Sequence, residues 1–209
     1  MYKNMLRLFS YVVDHDYGFA PNPFGGFCTL AKCKYKKEGQ RRRNIVELAK
    51  VGDWIIGTGG VKKESSGHRT LLYAMRVDEK LTLAEYYEDK RFRGRNGNTS
   101  DESHRTDTYA LISQHFYYFG KNAISIDMIP KEHLSHSLEK KGPGFRSNFS
   151  AEFIEDFVRW LERNYEIGIH GDPCGYEVRS FTQVRKKNQW DGSLHCDMTR
   201  DIRGTTILI

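Results

Sequence analysis

Apolar positions along this chain fall in short clusters, and the first half reads mostly as strands. Leu6 to Val13 is an apolar run that stops at Asp14, and Phe27 to Lys34 is a second strand candidate. Asn44-Ile-Val-Glu47 pairs an N-cap residue with a glutamate three positions on, which predicts a short helix through Lys50. Val51-Gly52-Asp53 is a turn, Trp54 to Gly57 an apolar strand, and Thr58-Gly59-Gly60 its breaker. Thr70 to Val77 is a further strand, with Leu72, Ala74 and Val77 inward. Thr82-Leu-Ala-Glu85 is a capping box and predicts a helix from Leu83 to Asp89. Tyr109 to Ser113, His115 to Phe119 and Ala123 to Ile126 are three more strand candidates. Ser150 caps a helix from Ala151 to Tyr165, in which Phe153, Ile154, Phe157, Val158 and Leu161 keep a helical period and which Gly168 ends.

Two stretches lack this patterning. Residues 90–107 are almost free of apolar side chains and read as an exposed loop. His170 to Arg203 is polar, with scattered Tyr176, Phe181 and Trp190, before an apolar end at Thr205 to Ile209. That tail reads as a peripheral extension whose last residues add a strand or pack on the core.

Composition narrows the class. The 209 residues suit one domain, with or without an extension, and 38% hydrophobic against 29% charged residues provides for a core. Aromatics reach 13%, which suits both β-rich folds and stacking sites. A net charge of +6 favours phosphate-bearing partners but is also compatible with solubility alone. No apolar run approaches the roughly 20 residues of a membrane span, so no membrane partner is expected. The N-terminus does not read as a signal peptide, because Arg7 interrupts its apolar stretch and Asp14 and Asp16 follow. The expectation is a cytoplasmic protein with Cys28, Cys33, Cys174 and Cys196 as free thiols.

The segment between the first two strands carries the strongest local signal. Pro21, Pro23, Gly25 and Gly26 interleave with Tyr17, Phe19, Phe24 and Phe27. Prolines fix φ and glycines permit close backbone approach, so such a loop can hold rings in set places. It is either a site or a turn whose aromatics cap the core.

Two resemblances follow from the motifs. Lys50-V-G-D-W-I-I-G-T-Gly59, Leu71-L-Y-A-M-R-V-Asp78 and Tyr86-Y-E-D-K-R-Phe92 resemble the PUA-like barrels of the ASCH and EVE type. Phe19-A-P-N-P-F-G-G-F-C-T-L-Ala31, V-G-D-W-I-I-G-T-G, His115-F-Y-Y-F-Gly120 and Gly142-P-G-F-Arg146 resemble, in that order, the second type of nucleotide modification associated domain. The first resemblance implies an α+β fold centred on a small PUA-like β-barrel with two or three packed helices. The second implies a context of DNA base hypermodification, beside base-modification enzymes, without supplying an activity. Residues 1–168 are expected to form that domain, and residues 169–209 a C-terminal extension packing on it.

A nucleobase needs a flat apolar face and a few fixed donors and acceptors. Phe19, Phe24, Tyr117 and Tyr118 can supply faces, and Asn22, Pro23, Gly57, Thr58 and Gly59 the edges and backbone of such a ligand-binding slot; the plainer alternative places these rings in the core. Trp54 and Phe119 read as core. Arg41, Arg42 and Arg43 form a candidate phosphate-binding cluster, as do Lys90, Arg91, Arg93 and Arg95, or Arg185, Lys186 and Lys187, unless these are only solvated loops. No nucleophile elbow, P-loop or G-x-G-x-x-G is present. Asp14, His115 and Cys28 are the candidate catalytic groups, should they meet in space. His170-G-D-P-Cys174 and His195-Cys-Asp197 lack the paired spacing of structural zinc, so no metal and no cofactor are expected. The favoured expectation is a non-enzymatic reader of a nucleotide or modified base, in DNA or as a free precursor. The alternatives are a small enzyme acting on such a base and a structural subunit of a base-modification complex.

Overall fold

The computed structural model describes residues 6–31, 44–93, 109–140, 142 and 144–175, and the two short strands at 199–200 and 206–207. The fold is α+β. Its main sheet contains β1 (Leu8–Val13), β3 (Trp54–Gly59), β4 (Thr70–Arg76), β7 (Phe116–Tyr118), β8 (Ile124–Ser125), β9 (Phe145–Arg146) and β10 (Gly168–Ile169). The order is β10-β7-β4-β3-β1-β9, with β8 also paired to β4. β2 (Cys28–Leu30), β6 (Tyr109–Ser113) and β5 (Glu79–Thr82) form a second sheet in the order β2-β6-β5. Near the C-terminus β11 (Thr199–Arg200) pairs with β12 (Thr206–Ile207).

β1 and β3 are apolar runs because both faces of the sheet are covered. They pair in parallel, from Leu8 opposite Trp54 to Val13 opposite Gly59. Phe9, Tyr11 and Val13 face a core shared with Cys28, Leu30, Tyr73 and Tyr118. Leu8 faces the other side, toward α3 (Ala151–Asn164). Ser10, on that same side, is fully buried and donates its hydroxyl to the Leu138 carbonyl at 2.5 Å. In β4 the register shifts between Gly57 and Thr58, so that Leu72 is the extra residue of a bulge. As a result Leu72 and Tyr73 share one core although they are neighbours in sequence.

The three helices follow their local signals. Asn44 caps α1 (Ile45–Leu48) through the Glu47 N–H. The last carbonyls of α1 are taken up by Arg7, which bonds Leu48, and by Lys80 Nζ, which bonds Ala49 at 3.0 Å. α2 (Leu83–Glu88) starts with the complete capping box of Thr82 and Glu85. α3 buries Phe153, Ile154, Phe157 and Leu161 against the sheet, each contributing about 1.5–3 kcal/mol by area. It ends with Tyr165 as C-cap, whereas Gly168, expected as its terminator, lies beyond it in β10 at φ 129.

The closed barrel expected from the PUA-like resemblance is not formed. β4 and β5 run on past Val77 and Asp78, β6 and β7 past Gln114 and His115, and this long antiparallel arm bends from one sheet into the other. Asp78 fixes the bend by accepting from the N–H groups of Gln114, at 2.7 Å, and His115. Closure would need β2 to pair with the far edge of the main sheet, where β9 sits instead; among the described residues both sheets stay open.

Candidate functional site

The strongest convergence lies where β1, β3 and β7 end, and the chain after β1 folds over it as a braced loop. The Asp16 N–H bonds the Glu64 carbonyl at 2.9 Å, and the Gly175 N–H bonds the Asp16 carbonyl at 2.8 Å. Asn22 bridges to Thr29 and takes the Phe24 N–H on its side chain at 3.2 Å. Gly18, at φ 73, leaves room that the Phe24 ring and Pro173 fill. The loop is thus tied to the β3–β4 hairpin on one side and to residues 173–175 on the other.

Under this loop lies a polar cluster. The Asp16 carboxylate, 1% exposed, accepts from the Tyr118 hydroxyl at 2.5 Å and from the Cys174 N–H at 2.9 Å. Burial raises its pKa, and the donors from Tyr118, Cys174 and Gly18 offset this only in part. Burial and the Asp16 charge push the Cys174 thiol up to about 12 and hold the Tyr118 phenol far above its usual range. Beside them the Tyr11 and Tyr73 hydroxyls pair at 2.9 Å, and burial keeps Tyr73 protonated as well. Chemically the cluster is a fixed set of donors around one inaccessible carboxylate.

Above it the loop shows rings to solvent. His15 and Tyr17 lie parallel within 6° at 6.2 Å, and Phe19 follows at 6.1 Å from Tyr17. Tyr17 is 36% exposed and Phe19 half-buried. His15 also reaches the Glu64 carboxylate at 3.6 Å.

The slot residues read from the sequence divide. Phe19, Phe24, Gly59 and Tyr118 belong to this end of the molecule. Gly57 and Thr58 are also there but are filled in: the Tyr73 ring and Val13 occupy the space a side chain on Gly57 would need, and Thr58 donates to the Tyr11 carbonyl at 3.2 Å. Asn22 and Pro23 are buried. Tyr117 points to the opposite face, beside Trp54 and His115. Arg41, Arg42 and Arg43 lie outside the described residues, as do Arg95, Arg185, Lys186, Lys187 and His195.

The three candidate catalytic groups do not meet. Asp14 sits against Gly60, past the end of β3. His115 packs on Trp54, at the start of β3, with Nε2 3.2 Å from the Tyr117 hydroxyl. The five steps from Trp54 to Gly59 cover roughly 16 Å at the usual strand rise. Cys28 is fully buried between the sheets. Burial, not an acidic partner, sets His115, whose pKa is lowered. Among the described residues no group of His, Cys, Asp and Glu could hold a metal. The residues missed were Asp16 and Cys174: nothing in sequence marks Asp16, among three acid or imidazole neighbours, as the buried one.

The family model for nucleotide modification associated domain 2 matches residues 5–108 and 94–180. The chain belongs to that family. The match runs past residue 168, up to which the domain was expected, and so takes in Pro173, Cys174 and Gly175, which close the loop from below. No curated protein and no solved structure matches the chain. Membership in the nucleotide modification associated domain 2 family sets a context of nucleotide modification. Among the described residues no helix is long and apolar enough to cross a membrane.

Proposed function

We propose that this protein binds a nucleotide or modified nucleobase, in DNA or as a free precursor, on the loop between β1 and β2, and that it serves a base-modification pathway as a reader. The supporting observation is the braced loop itself, with His15, Tyr17 and Phe19 held in sequence on a backbone anchored from both sides. Rings fixed before binding lose little entropy when a base stacks on them. Tyr17 and Phe19 carry the contact in this reading. Phe24 supports it from below, since its ring packs over Gly18.

The enzymatic alternative draws on Asp16, a carboxylate with a raised pKa. At 1% exposure it reaches no ligand without displacement of the loop, and Asp14, His115 and Cys28 stand apart. The reader is therefore the better reading.

Calorimetric titration with nucleosides, nucleotides and short single-stranded DNA tests it, with product analysis by mass spectrometry on the same mixtures. Tyr17→Ala and Phe19→Ala should each weaken binding about 5- to 150-fold, from stacking of about 1–3 kcal/mol per base. Unchanged affinity in both variants would make the loop scaffold. Turnover of the ligand by the wild-type protein would replace the reader with the enzyme.

A further inference from the structure

One carboxylate stands beside the ring row of the loop between β1 and β2. Glu64 lies on the β3–β4 hairpin, and its main-chain carbonyl takes the Asp16 N–H at 2.9 Å, which ties its position to that loop. Its side chain starts where the Tyr17 ring lies. A Cβ on Gly175 would come within 2.5 Å of Tyr17 Cδ1 and Cε1 and within 3.2 Å of Glu64 Cβ, so glycine lets the two meet there.

The Glu64 side chain is 17% exposed, and its oxygens face His15 Nδ1 at 3.6 Å and Lys63 Nζ at 3.5 Å. Both distances exceed the roughly 2.7–3.2 Å of a hydrogen bond. Among the described residues the carboxylate accepts no hydrogen bond. Lys63 is 90% exposed, and an ion pair so open to water contributes little. The end of the ring row thus carries an acceptor whose oxygens are open to a ligand.

An ionised carboxylate only accepts hydrogen bonds. A base stacked on Tyr17 gains by turning donors toward Glu64 and loses by turning a lone pair there. On its Watson–Crick edge guanine carries two adjacent donors, N1–H and the N2 amino group. Adenine and cytosine set a ring-nitrogen acceptor beside their amino group, and thymine flanks its N3–H with two carbonyls. We infer that Glu64 is the specificity-determining residue of the loop and selects guanine, or a modified guanine that keeps both donors, through a bidentate contact. This rests on base stacking at Tyr17 and Phe19.

The test is calorimetric titration of the full chain with the 5′-monophosphates of guanosine, inosine, adenosine and thymidine. Inosine keeps N1–H and lacks the amino group, so that comparison needs no variant. Wild type should bind the guanine nucleotide about tenfold or more tighter than the inosine nucleotide, by the usual strength of a hydrogen bond to a charged group. Adenosine and thymidine nucleotides should bind no better than the inosine nucleotide. Glu64→Gln leaves the carbonyl that braces Asp16 in place and should remove the guanine preference, whereas Tyr17→Ala should weaken all four. Equal affinity for the four, preference for another of them, or a guanine preference kept in Glu64→Gln overturns the role of Glu64 and leaves the stacking site standing. No binding of any nucleotide, free or in short single-stranded DNA, overturns the stacking site with it.

Discussion

The two faces of the main sheet are equally buried and differently made. Under α3 the contact is closed by Leu8, Ile56, Leu71, Phe153 and Phe157, side chains that ask only for complementary shape. The opposite face carries Tyr11, Tyr73 and Tyr118 together with Cys28, and the Asp16 carboxylate closes its end. Tyr117 and Tyr118 point to the two faces from one dipeptide: the Tyr117 hydroxyl meets His115 at 3.2 Å where the contact is part-buried, the Tyr118 hydroxyl the fully buried Asp16 at 2.5 Å. An apolar face tolerates repacking, because hydrophobic attraction has no direction. A buried hydroxyl has to keep its partner, and the second face thereby sets where the loop above it stands. The first face holds the domain together; the second positions the candidate site.

The contrast can be broken at several strengths. Phe157→Ala, on the α3 face, should cost the most, about 3–5 kcal/mol in urea unfolding, and leave the ligand affinity of the remaining folded protein unchanged. Loss of affinity in the folded fraction would show that the two faces are not separable.

Tyr118→Phe removes one hydrogen bond from Asp16 and should cost about 1.5–3 kcal/mol. Unlike the change at Phe157, it should loosen residues 16–18 and 173–175, read as faster amide exchange there. The same cluster has a pH signature. The folded pKa of Asp16 lies above its ordinary 3.8, so the stability linked to it is present below that value and is lost as pH rises through the folded pKa. In Asp16→Asn this dependence disappears. The substitution should therefore cost most at acid pH and progressively less toward neutrality, as followed by denaturation midpoints across that window. A cost that grows with pH would mean that Asp16 is stabilised as the anion.

Thr82→Ala touches neither face. It removes the N-cap of α2 and should cost about 1 kcal/mol, with no effect on amide exchange at residues 16–18. It serves as the measure of an ordinary local loss.

Much of the secondary structure was legible because it is written locally. Ser150 and the Phe153, Ile154, Phe157, Leu161 spacing specify α3, and Thr82 with Glu85 specifies α2. Glu79–Thr82 was not legible as a strand, since its residues E-K-L-T carry no alternation and are held by pairing with β6. The two residues of β10 are set likewise by pairing with β7. Of the candidate site, the Pro/Gly/aromatic texture of the loop is visible in the sequence, but not the direction of its residues. Whether Tyr117 or Tyr118 turns toward the loop depends on strand register, and the burial of Asp16 depends on Cys174, 158 residues away.

The parallel pairing of β1 with β3 also governs the order in which the chain can assemble. A strand finished by Val13 has no neighbour until Trp54–Gly59 has emerged, and its other edge waits for Phe145–Arg146. Contacts this distant in sequence must be closed against the entropy of the intervening chain, and such topologies fold slowly. During synthesis the apolar stretch Leu8–Val13 therefore has no partner until β3 has emerged and keeps one open edge until β9 has, a period of exposed strand edge that helper proteins or rapid collapse must cover.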